Sequence, residues 1–278
     1  MKTTIRRHPV VAYFLLVYAI AWIGSFVVMG PKFLRGEEIL FTDIIIIAIP
    51  MLAAPSLTGI TLTAIMDGQG GLRALFRRMT HWRVDLRWYA ALLIFPILIL
   101  AVYRLLYLVV SPAYVPTFFA IGFQMGLAAG FLEEIGWMGF AFPHMRASRS
   151  VLVTAILLGL LHSLWHLAAG YLGASTVRGV YFLPHFLAFT VAMTAMRVLV
   201  VWVYVNTESV LLSQLMHASS TGFLAVLVAT TLSPVYDTLF YAVYAVVLWL
   251  AVALVVARYG KDLVVGESRT VDDLPNPV

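Results

Sequence analysis

Two adjacent glutamates, Glu133 and Glu134, interrupt a stretch that is otherwise typical of a hydrophobic membrane helix. A carboxylate at membrane depth costs roughly 2.5–3.5 kcal/mol on insertion scales, so such a pair requires polar partners. A glutamate beside a histidine can deprotonate and orient a water molecule, and a second histidine with a hydroxyl can donate to an oxyanion as it forms. The pair therefore predicts a hydrolytic site, if other helices bring those groups to it.

Two later hydrophobic segments carry polar stripes at four-residue spacing. His162 and His166 lie four residues apart and share one face of a helix, and His217 and Thr221 do the same. Taken singly, each histidine could be a packing residue, and a threonine hydroxyl often bonds back to its own helix. Because three helices each carry such a stripe, the sequence predicts one shared functional site.

The same side chains leave the use of a metal ion open. Imidazole nitrogens and a carboxylate can bind zinc, which would then activate the water molecule. The candidate ligands are His162, His166, His217 and Glu133. The chain contains no cysteine, which excludes a thiol nucleophile, a thiolate metal site and a disulfide framework.

Composition indicates an integral membrane protein. Hydrophobic residues make up 62% of the 278 residues and charged residues 11%, whereas soluble domains carry about 25% charged residues. The net charge of +5 is spread over loops, with no basic domain to bind nucleic acid, so the expected partner surface is a lipid bilayer. We expect an all-α bundle forming one domain over residues 1–257, followed by a polar, disordered cytoplasmic tail at 258–278.

Apolar segments of about 20 residues, the length that crosses a bilayer, recur eight times along the chain. The predicted spans are Val10–Met29, Asp43–Ile65, Trp88–Val110, Thr117–Phe140, Val151–Tyr171, Phe182–Tyr204, Ser209–Thr230 and Thr238–Ala257. Thirteen of the 18 Lys and Arg residues then fall on the side that holds both termini, and three fall on the other side. This asymmetry predicts cytoplasmic N- and C-termini, and we expect the protein in the cell membrane of a prokaryote.

Five of these thirteen basic residues lie in one polar segment, and the two basic residues not counted on either side are arginines within spans. Asp67–Arg87 carries five arginines, and its apolar residues recur at three- and four-residue spacing. This pattern predicts either an amphipathic helix on an anionic membrane surface or an ordinary positively charged loop. Arg104 and Arg197 lie inside spans, where we expect them to snorkel or to pair with Asp43 or Asp237 at a span end.

The three polar stripes resemble the motifs of the CPBP family of intramembrane proteases, also called the Abi or CAAX-protease family, which includes the type II CAAX prenyl endopeptidases. The family motifs are Glu-Glu-x-x-x-Arg, aromatic-x-x-x-His and His-x-x-x-Asn. They are similar to Glu133-Glu134-Ile135-Gly136-Trp137-Met138, His162-Ser163-Leu164-Trp165-His166 and His217-Ala218-Ser219-Ser220-Thr221, within residues 115–225. A shifted alignment places Leu158 at the aromatic position and His162 at the family histidine.

The resemblance implies an intramembrane endopeptidase that is glutamate- or metal-dependent. Glu133 would activate water with His166, His217 and Thr221 would stabilise the oxyanion, and Glu134 would be the second, orienting glutamate. The substrate would be a peptide or protein presented from the cytoplasmic side, with a lipidated or membrane-bound C-terminus among the options. The resemblance implies no definite cofactor, and the candidate cofactor is zinc.

Two departures from the family pattern favour other functions. Met138 stands where the family has arginine, which removes an expected ion-pair partner of Glu134, and Thr221 stands where the family has asparagine. A non-catalytic family member, acting as a membrane scaffold or immunity-type protein, is therefore the alternative function. A proton- or metal-coupled carrier would use the same residues as a relay, although the sequence shows no internal repeat.

Overall fold

The computed structural model describes residues 2–147, 149–229 and 232–265, and over these residues the chain is an all-α bundle, as predicted. The helices are α1 (Lys2–Arg7), α2 (Pro9–Leu34), α3 (Phe41–Met79), α4 (Leu86–Ala90), α5 (Ile94–Val109), α6 (Ile121–Gly136), α7 (Phe142–Arg146), α8 (Val151–Trp165), α9 (Leu167–Arg178), α10 (Phe182–Thr207), α11 (Val210–Val226) and α12 (Pro234–Tyr259). A π-helical segment, Trp137–Ala141, joins α6 to α7. Two-residue strands, β1 (Thr117–Phe118) and β2 (Leu227–Val228), pair antiparallel beside α6 and α11.

Every predicted span coincides with a helical stretch of the described chain. Five stretches are long and apolar enough to cross a membrane: Pro9–Leu34, Thr42–Met79, Leu86–Val109, Leu167–Thr207 and Pro234–Tyr259. Two further predicted spans coincide with shorter apolar helices, Val151–Trp165 and Val210–Val226. The remaining predicted span, which carries the glutamates, is α6 with its π-helical extension. This is the architecture of an integral membrane protein, while the sidedness of its termini stays a prediction.

Two breaks change the predicted helix boundaries. α3 continues past its predicted end and kinks at Gly68, where φ is 62°, a backbone angle that glycine adopts without strain. The fifth span was predicted to run to Tyr171, and this end is wrong because α8 stops at Trp165 and the chain turns at His166. The Trp165 carbonyl, which a continuous helix would use internally, instead accepts from the indole N–H of Trp22 at 2.9 Å.

Glycines allow α6 and α11 to pack with their backbones almost touching. Gly122, Gly126 and Gly130 recur every four residues along α6. A Cβ at Gly126 would lie 2.4 Å from the Gly222 Cα, and one at Gly130 would lie 2.3 Å from the Gln214 carbonyl oxygen. Small residues at four-residue spacing permit this kind of close approach between membrane helices. The interface brings the glutamates, one turn after Gly130, against α11.

A similar crossing joins α8 to α10. A Cβ at Gly159 would lie 2.7 Å from the Thr194 Cα and 3.2 Å from the Arg197 Cβ. Gly159 is one turn before His162, so this crossing sets the first histidine of α8 beside the arginine of α10. The side chains that could do chemistry therefore lie where three tightly packed helices, α6, α8 and α10, meet α11.

Beyond α12 the described chain returns to the ends of other helices. Leu263 is fully buried, and the Asn206 side-chain amide donates to its carbonyl at 2.8 Å while accepting from the Val265 N–H at 2.7 Å. The predicted disordered tail, 258–278, lies outside the described residues from 266 onward. The division into one domain and a tail stays a prediction.

Candidate active site

Glu133 is buried and held by two side chains. Its Oε2 lies 2.9 Å from Nε2 of His162 and accepts from the indole N–H of Trp137 at 3.2 Å. Trp137 is the residue one turn later, at the start of the π-helix, and its ring packs 4.9 Å from that of His162. π-Helical turns occur frequently at functional sites, where they shift side chains away from the ordinary helical register. Trp137 follows Glu133 at the four-residue spacing of an α-helix, and its indole N–H reaches the carboxylate at the point where the π-helix begins.

The tautomer of His162 follows from its second partner. Arg197 donates from Nη2 to Nδ1 of His162 at 2.8 Å, and a guanidinium has only donors, so Nδ1 carries no proton. The ring proton is therefore on Nε2, from which it donates to Glu133. His162 thus orients the carboxylate and leaves the other oxygen of Glu133 free for another partner.

Glu134 forms the second half of the cluster with residues from two other helices. Arg197 donates from Nη1 to both carboxylate oxygens at 2.8 and 2.7 Å, and neither side chain is exposed at all. Nδ1 of His217 lies 2.7 Å from Oε1 of the same carboxylate. A buried ion pair needs good geometry and hydrogen bonds to offset its desolvation. Here both oxygens of Glu134 are bonded and Arg197 uses Nη1 and Nη2, whereas its Nε has no partner among the described residues. One arginine consequently links the two glutamates, because it contacts Glu134 directly and Glu133 through His162.

This placement of Arg197 corrects an expectation from the sequence. Asp43 and Asp237 were predicted as its partners, but Asp43 pairs with Lys32 at 2.7 Å and Asp237 with Arg178 at 2.7 Å. Glu134 was expected to lack an arginine because Met138 occupies the family position. The structure supplies that charge from α10 instead. The sequence signal was present, since an arginine inside an apolar span needs an acidic partner, but the choice of acid was wrong.

Arg104 behaves differently from Arg197. It lies on the exposed face of α5, with its guanidinium carbon 5.6 Å from the ring of Tyr107. This arrangement agrees with the expected snorkelling of a long basic side chain.

His166 lies across a small gap from the Glu133 carboxylate. A carboxylate oxygen of Glu133 and one ring nitrogen each of His162 and His166 all lie within 4.8 Å of one another. A water molecule that makes two hydrogen bonds of about 2.8 Å at a tetrahedral angle joins atoms about 4.6 Å apart. The gap between Glu133 and His166 therefore has the size that one water molecule bridges.

The donor set does not fit a zinc ion. Among the described residues, the cluster of three metal-type ligands within mutual reach is Glu133, His162 and His166, and His217 is not in it. A metal-binding histidine donates its second ring N–H to an acceptor, whereas the second ring nitrogen of His162 faces the guanidinium of Arg197. Without His162, two ligands remain, and catalytic zinc sites use three.

Thr221 is the predicted site residue that the structure does not bring into this cluster. It lies one turn after His217 on α11 and is partly exposed, outside the hydrogen-bond network that joins the other predicted residues in the described chain. Glu133, Glu134, His162, His166 and His217 do meet in one buried place. The expected pairing differs in one respect, because His217 bonds to Glu134 and not to Glu133.

Helix α2 supports the two histidines of α8 from outside. The Tyr18 hydroxyl donates to the Leu161 carbonyl at 2.7 Å, and the Trp22 indole donates to the Trp165 carbonyl at 2.9 Å. Each of these carbonyls belongs to the residue just before a histidine, so two side chains four apart on α2 match the spacing of the histidines. Sequence reasoning missed both, although an aromatic stripe at four-residue spacing was visible.

Comparison with known proteins gives two matches. Residues 115–223 match the family model of the Rce1-like type II CAAX prenyl endopeptidases. A protein named CAAX prenyl protease 2, from Methanococcus maripaludis, is 27% identical over 110 residues, which are 38% of this chain and 39% of that protein. The matched segment contains every residue of the buried cluster. Residues 115–223 are therefore similar to the Rce1-like family of type II CAAX prenyl endopeptidases, and the match spans 39% of the length of the relative.

Proposed function

We propose that the protein is an intramembrane endopeptidase that uses Glu133 to activate water. The observation that carries this proposal is the position of the Glu133 carboxylate, which is buried, fixed by His162 and Trp137, and separated from His166 by the width of one water molecule. A fixed carboxylate beside a bound water is the arrangement that general-base hydrolysis needs. The similarity of residues 115–223 to the family model supports the same reaction class.

In the proposed reaction, a water molecule donates one hydrogen bond to Glu133 and is held by His166. Glu133 takes a proton from this water as its oxygen attacks the carbonyl carbon of the peptide bond. The same proton then passes to the leaving amine as the carbon–nitrogen bond breaks. Glu133 returns to a carboxylate, so it acts first as base and then as acid.

We assign His217 and Thr221 to the oxyanion that forms on the attacked carbonyl. His217 donates from Nδ1 to Glu134, so its Nε2 must also carry a proton to donate to the oxyanion. Thr221, one turn away on the same helix, would provide a second donor from its hydroxyl. Donors fixed in a site that excludes water are worth far more than the same donors in bulk water.

Glu134 and Arg197 act by positioning in this scheme. Glu134 holds His217, and Arg197 holds both Glu134 and the imidazole that fixes Glu133. Neither residue needs to touch the peptide. The loss of either would disorganise both halves of the site at once.

The substrate class follows from the position of the site. The cluster lies within helices that cross or enter the membrane, so the peptide must reach it from a segment at the membrane surface. The Methanococcus maripaludis relative is named a prenyl protease. We therefore infer a peptide or protein with a lipidated C-terminus as the first substrate class to examine.

The proposal is tested with purified protein in vesicles, using a library of peptides with and without a C-terminal lipid. Glu133→Gln, His166→Ala and His217→Ala should each lower kcat by about 100-fold or more, as the loss of a general base or an oxyanion donor typically does. The matched controls are Glu38→Gln and His8→Ala, whose side chains are exposed and distant, and both should cleave like the wild type.

Retention of full cleavage in Glu133→Gln would overturn the assignment of the base. A wild-type protein that cleaves no peptide would favour the scaffold function instead. Addition of a zinc chelator should leave the rate unchanged, because His162 cannot serve as a ligand while Arg197 occupies its Nδ1.

A further inference from the structure

The segment 69–87, hereafter the basic segment, presents a basic and aromatic surface at one end of the bundle. Its exposed arginines are Arg73, Arg77, Arg83 and Arg87. Beside them, the Phe76, Trp82 and Leu86 side chains are 65%, 60% and 79% exposed. The single acid within this segment, Asp85, pairs with Arg87 at 3.3 Å. The surface therefore combines net positive charge with apolar side chains that the described part of the chain leaves exposed.

The first half of the basic segment is an amphipathic helix. The kink at Gly68 separates it from the membrane-crossing part of α3, and the helix then runs to Met79. Leu75 is buried on its inner face, whereas Arg73 and Arg77 lie on its outer face. On the outer face, exposed Phe76 lies beside these arginines, and basic and aromatic residues together are typical of protein segments at a membrane–water interface.

The inner face of this helix contacts the π-helix that follows the glutamates. A Cβ at Gly139 would lie 2.7 Å from Leu75 Cδ1, so Leu75 packs directly on that glycine. Arg78 donates to the Gly139 carbonyl at 2.9 Å and to the Tyr204 hydroxyl at 2.8 Å. The π-helix begins with Trp137, whose indole N–H holds Glu133. A single helix thus joins the exposed basic surface to the residue that fixes the carboxylate.

We propose that the basic segment binds anionic phospholipid headgroups and that this contact holds the π-helix, and with it Glu133, in its working position. The second part of this statement rests on the proposed endopeptidase function. A guanidinium binds phosphate oxygens through two hydrogen bonds, which suits a row of exposed arginines to phospholipid. Arg83 stacks on Trp82 at 5.2 Å, which leaves the edge of its guanidinium open to a phosphate. Arg87 stacks on Trp88 at 5.4 Å with its Nε toward Asp85.

Phospholipid fits this surface better than an acidic peptide does. The basic segment joins α3 to α4, so it lies at the level where two membrane-crossing stretches meet the bilayer surface. Aromatic residues such as Trp82 favour that depth, where one side of the ring meets the acyl chains. Exposed Phe76 and Leu86 would be covered by acyl chains there, whereas a soluble acidic peptide would leave them in water.

The lipid contact is measured by tryptophan quenching in vesicles of phosphatidylcholine that contain increasing fractions of brominated phosphatidylglycerol. The signal of Trp82 is isolated by subtracting the Trp82→Phe variant. The wild type should enrich phosphatidylglycerol over phosphatidylcholine near Trp82. Because one arginine at an anionic surface changes affinity by about fivefold, Arg73→Gln/Arg77→Gln should lower this enrichment by about tenfold or more.

The matched control is Arg35→Gln/Arg104→Gln. It removes the same amount of charge from two exposed arginines outside the basic segment, one just after α2 and one within α5. In this control variant, brominated phosphatidylglycerol should quench Trp82 as strongly as in the wild type. Equal enrichment in the wild type and in Arg73→Gln/Arg77→Gln would overturn the lipid contact. A loss of enrichment in both double variants would also overturn it, since the effect would then follow net charge and not this surface.

The link to the site is measured by hydrogen exchange of the amides of residues 137–141, which needs no catalytic activity. Phosphatidylglycerol should slow their exchange in the wild type and should not do so in Arg73→Gln/Arg77→Gln. Arg78→Met, which removes the inner contact alone, should keep the lipid enrichment and lose the slowed exchange. Slowed exchange in Arg78→Met equal to that of the wild type would overturn the link.

Cleavage assays complete the test and separate the two proposals. Phosphatidylglycerol should raise kcat severalfold in the wild type and leave Arg73→Gln/Arg77→Gln at its basal rate. If the wild type cleaves no peptide in any vesicle, the endopeptidase function fails, while quenching and exchange still decide the lipid contact and its link. If the double variant loses only the cleavage of acidic peptides, in every lipid, the surface binds substrate and the lipid proposal is overturned.

Discussion

In the buried cluster, a single arginine, Arg197, fixes the positions of two carboxylates, those of Glu133 and Glu134. Arg197 contacts Glu134 through two hydrogen bonds and reaches Glu133 through His162. An unpaired buried charge is far more costly than an absent pair, so these groups stabilise the fold only as a set. The position of the arginine on α10, and not on α6, also means that the charge is delivered by a different helix from the one that carries the glutamates.

Arg197→Met should therefore destabilise the protein by about 3–5 kcal/mol, because it leaves Glu134 buried without its counter-charge. Glu134→Gln/Arg197→Met, which removes both charges, should be more stable than Arg197→Met alone. Thermal unfolding in detergent measures both effects. The exposed pair offers a matched control, since Arg35→Met, beside Glu37, should leave Tm unchanged. Equal Tm values for the single and double variants would contradict a charge-pair role.

At the scale of elements, the site depends on helices that approach without side chains between them. Gly130 lies one turn before the glutamates and faces the α11 backbone at Gln214. Gly159 does the same for α8 against α10. Helix α2 then adds a hydrogen bond from Trp22 to the Trp165 carbonyl at the break before His166. Close packing sets the distances between the groups, and α2 fixes the turn that carries His166.

Gly130→Ala should destabilise the fold by about 1–3 kcal/mol, since its new Cβ overlaps the facing backbone and forces α6 and α11 apart. Cleavage should fall further than stability alone explains, because Glu134 and His217 lie across that interface. Gly170→Ala is the matched control. Gly170 is helical with open space where its Cβ would lie, so alanine there should be neutral or stabilising by up to about 1 kcal/mol. Unfolding and cleavage rates of both variants check this expectation.

Trp22→Phe should lower kcat while leaving the bundle folded. The phenyl ring fills most of the space but leaves the Trp165 carbonyl without its donor, which costs about 1–3 kcal/mol when the group is buried. Trp249→Phe removes the same type of bond, from an indole to the Val191 carbonyl at 3.0 Å, on an exposed part of α10 outside the hydrogen-bond network of the site. It should therefore change kcat much less. Equal losses in the two variants would show that Trp22 acts only on overall stability.

At the scale of the whole molecule, the sequence identifies ionisable residues because they are rare in apolar spans. It does not identify which of them pair when the partners lie far apart along the chain. Glutamates and histidines stand out in apolar spans, so the members of the cluster other than Arg197 and Trp137 were identified in advance. Arg197 stood out too, but its partner lies 63 residues away on another helix, and spacing within one helix carries no information about such a pair. The break at His166 was missed because the donor that occupies the freed carbonyl comes from α2.

The orientation of the molecule in the membrane is predicted from charge. It determines from which side of the membrane a substrate reaches the site. The basic segment begins close to the N-terminal helix α1, since Arg6 donates at 2.8 Å to the carbonyl of Met66, three residues before the segment. Helix α10 has 26 residues and ends near that side, because Ser209 donates to the His81 carbonyl at 2.5 Å. At about 1.5 Å per residue its other end is about 39 Å away, on the opposite surface of the bilayer. Thr80 and Val180 are exposed at these two ends.

Because the chain has no cysteine, single cysteines report this orientation without background. Val180→Cys should react with a membrane-impermeant maleimide added to intact cells, whereas Thr80→Cys should react only after the membrane is opened. This result would put the basic segment on the anionic inner surface and would require the substrate peptide to enter from the cytoplasm. Labelling of Thr80→Cys in intact cells would reverse the orientation, and the peptides to be tested would then be those outside the cell.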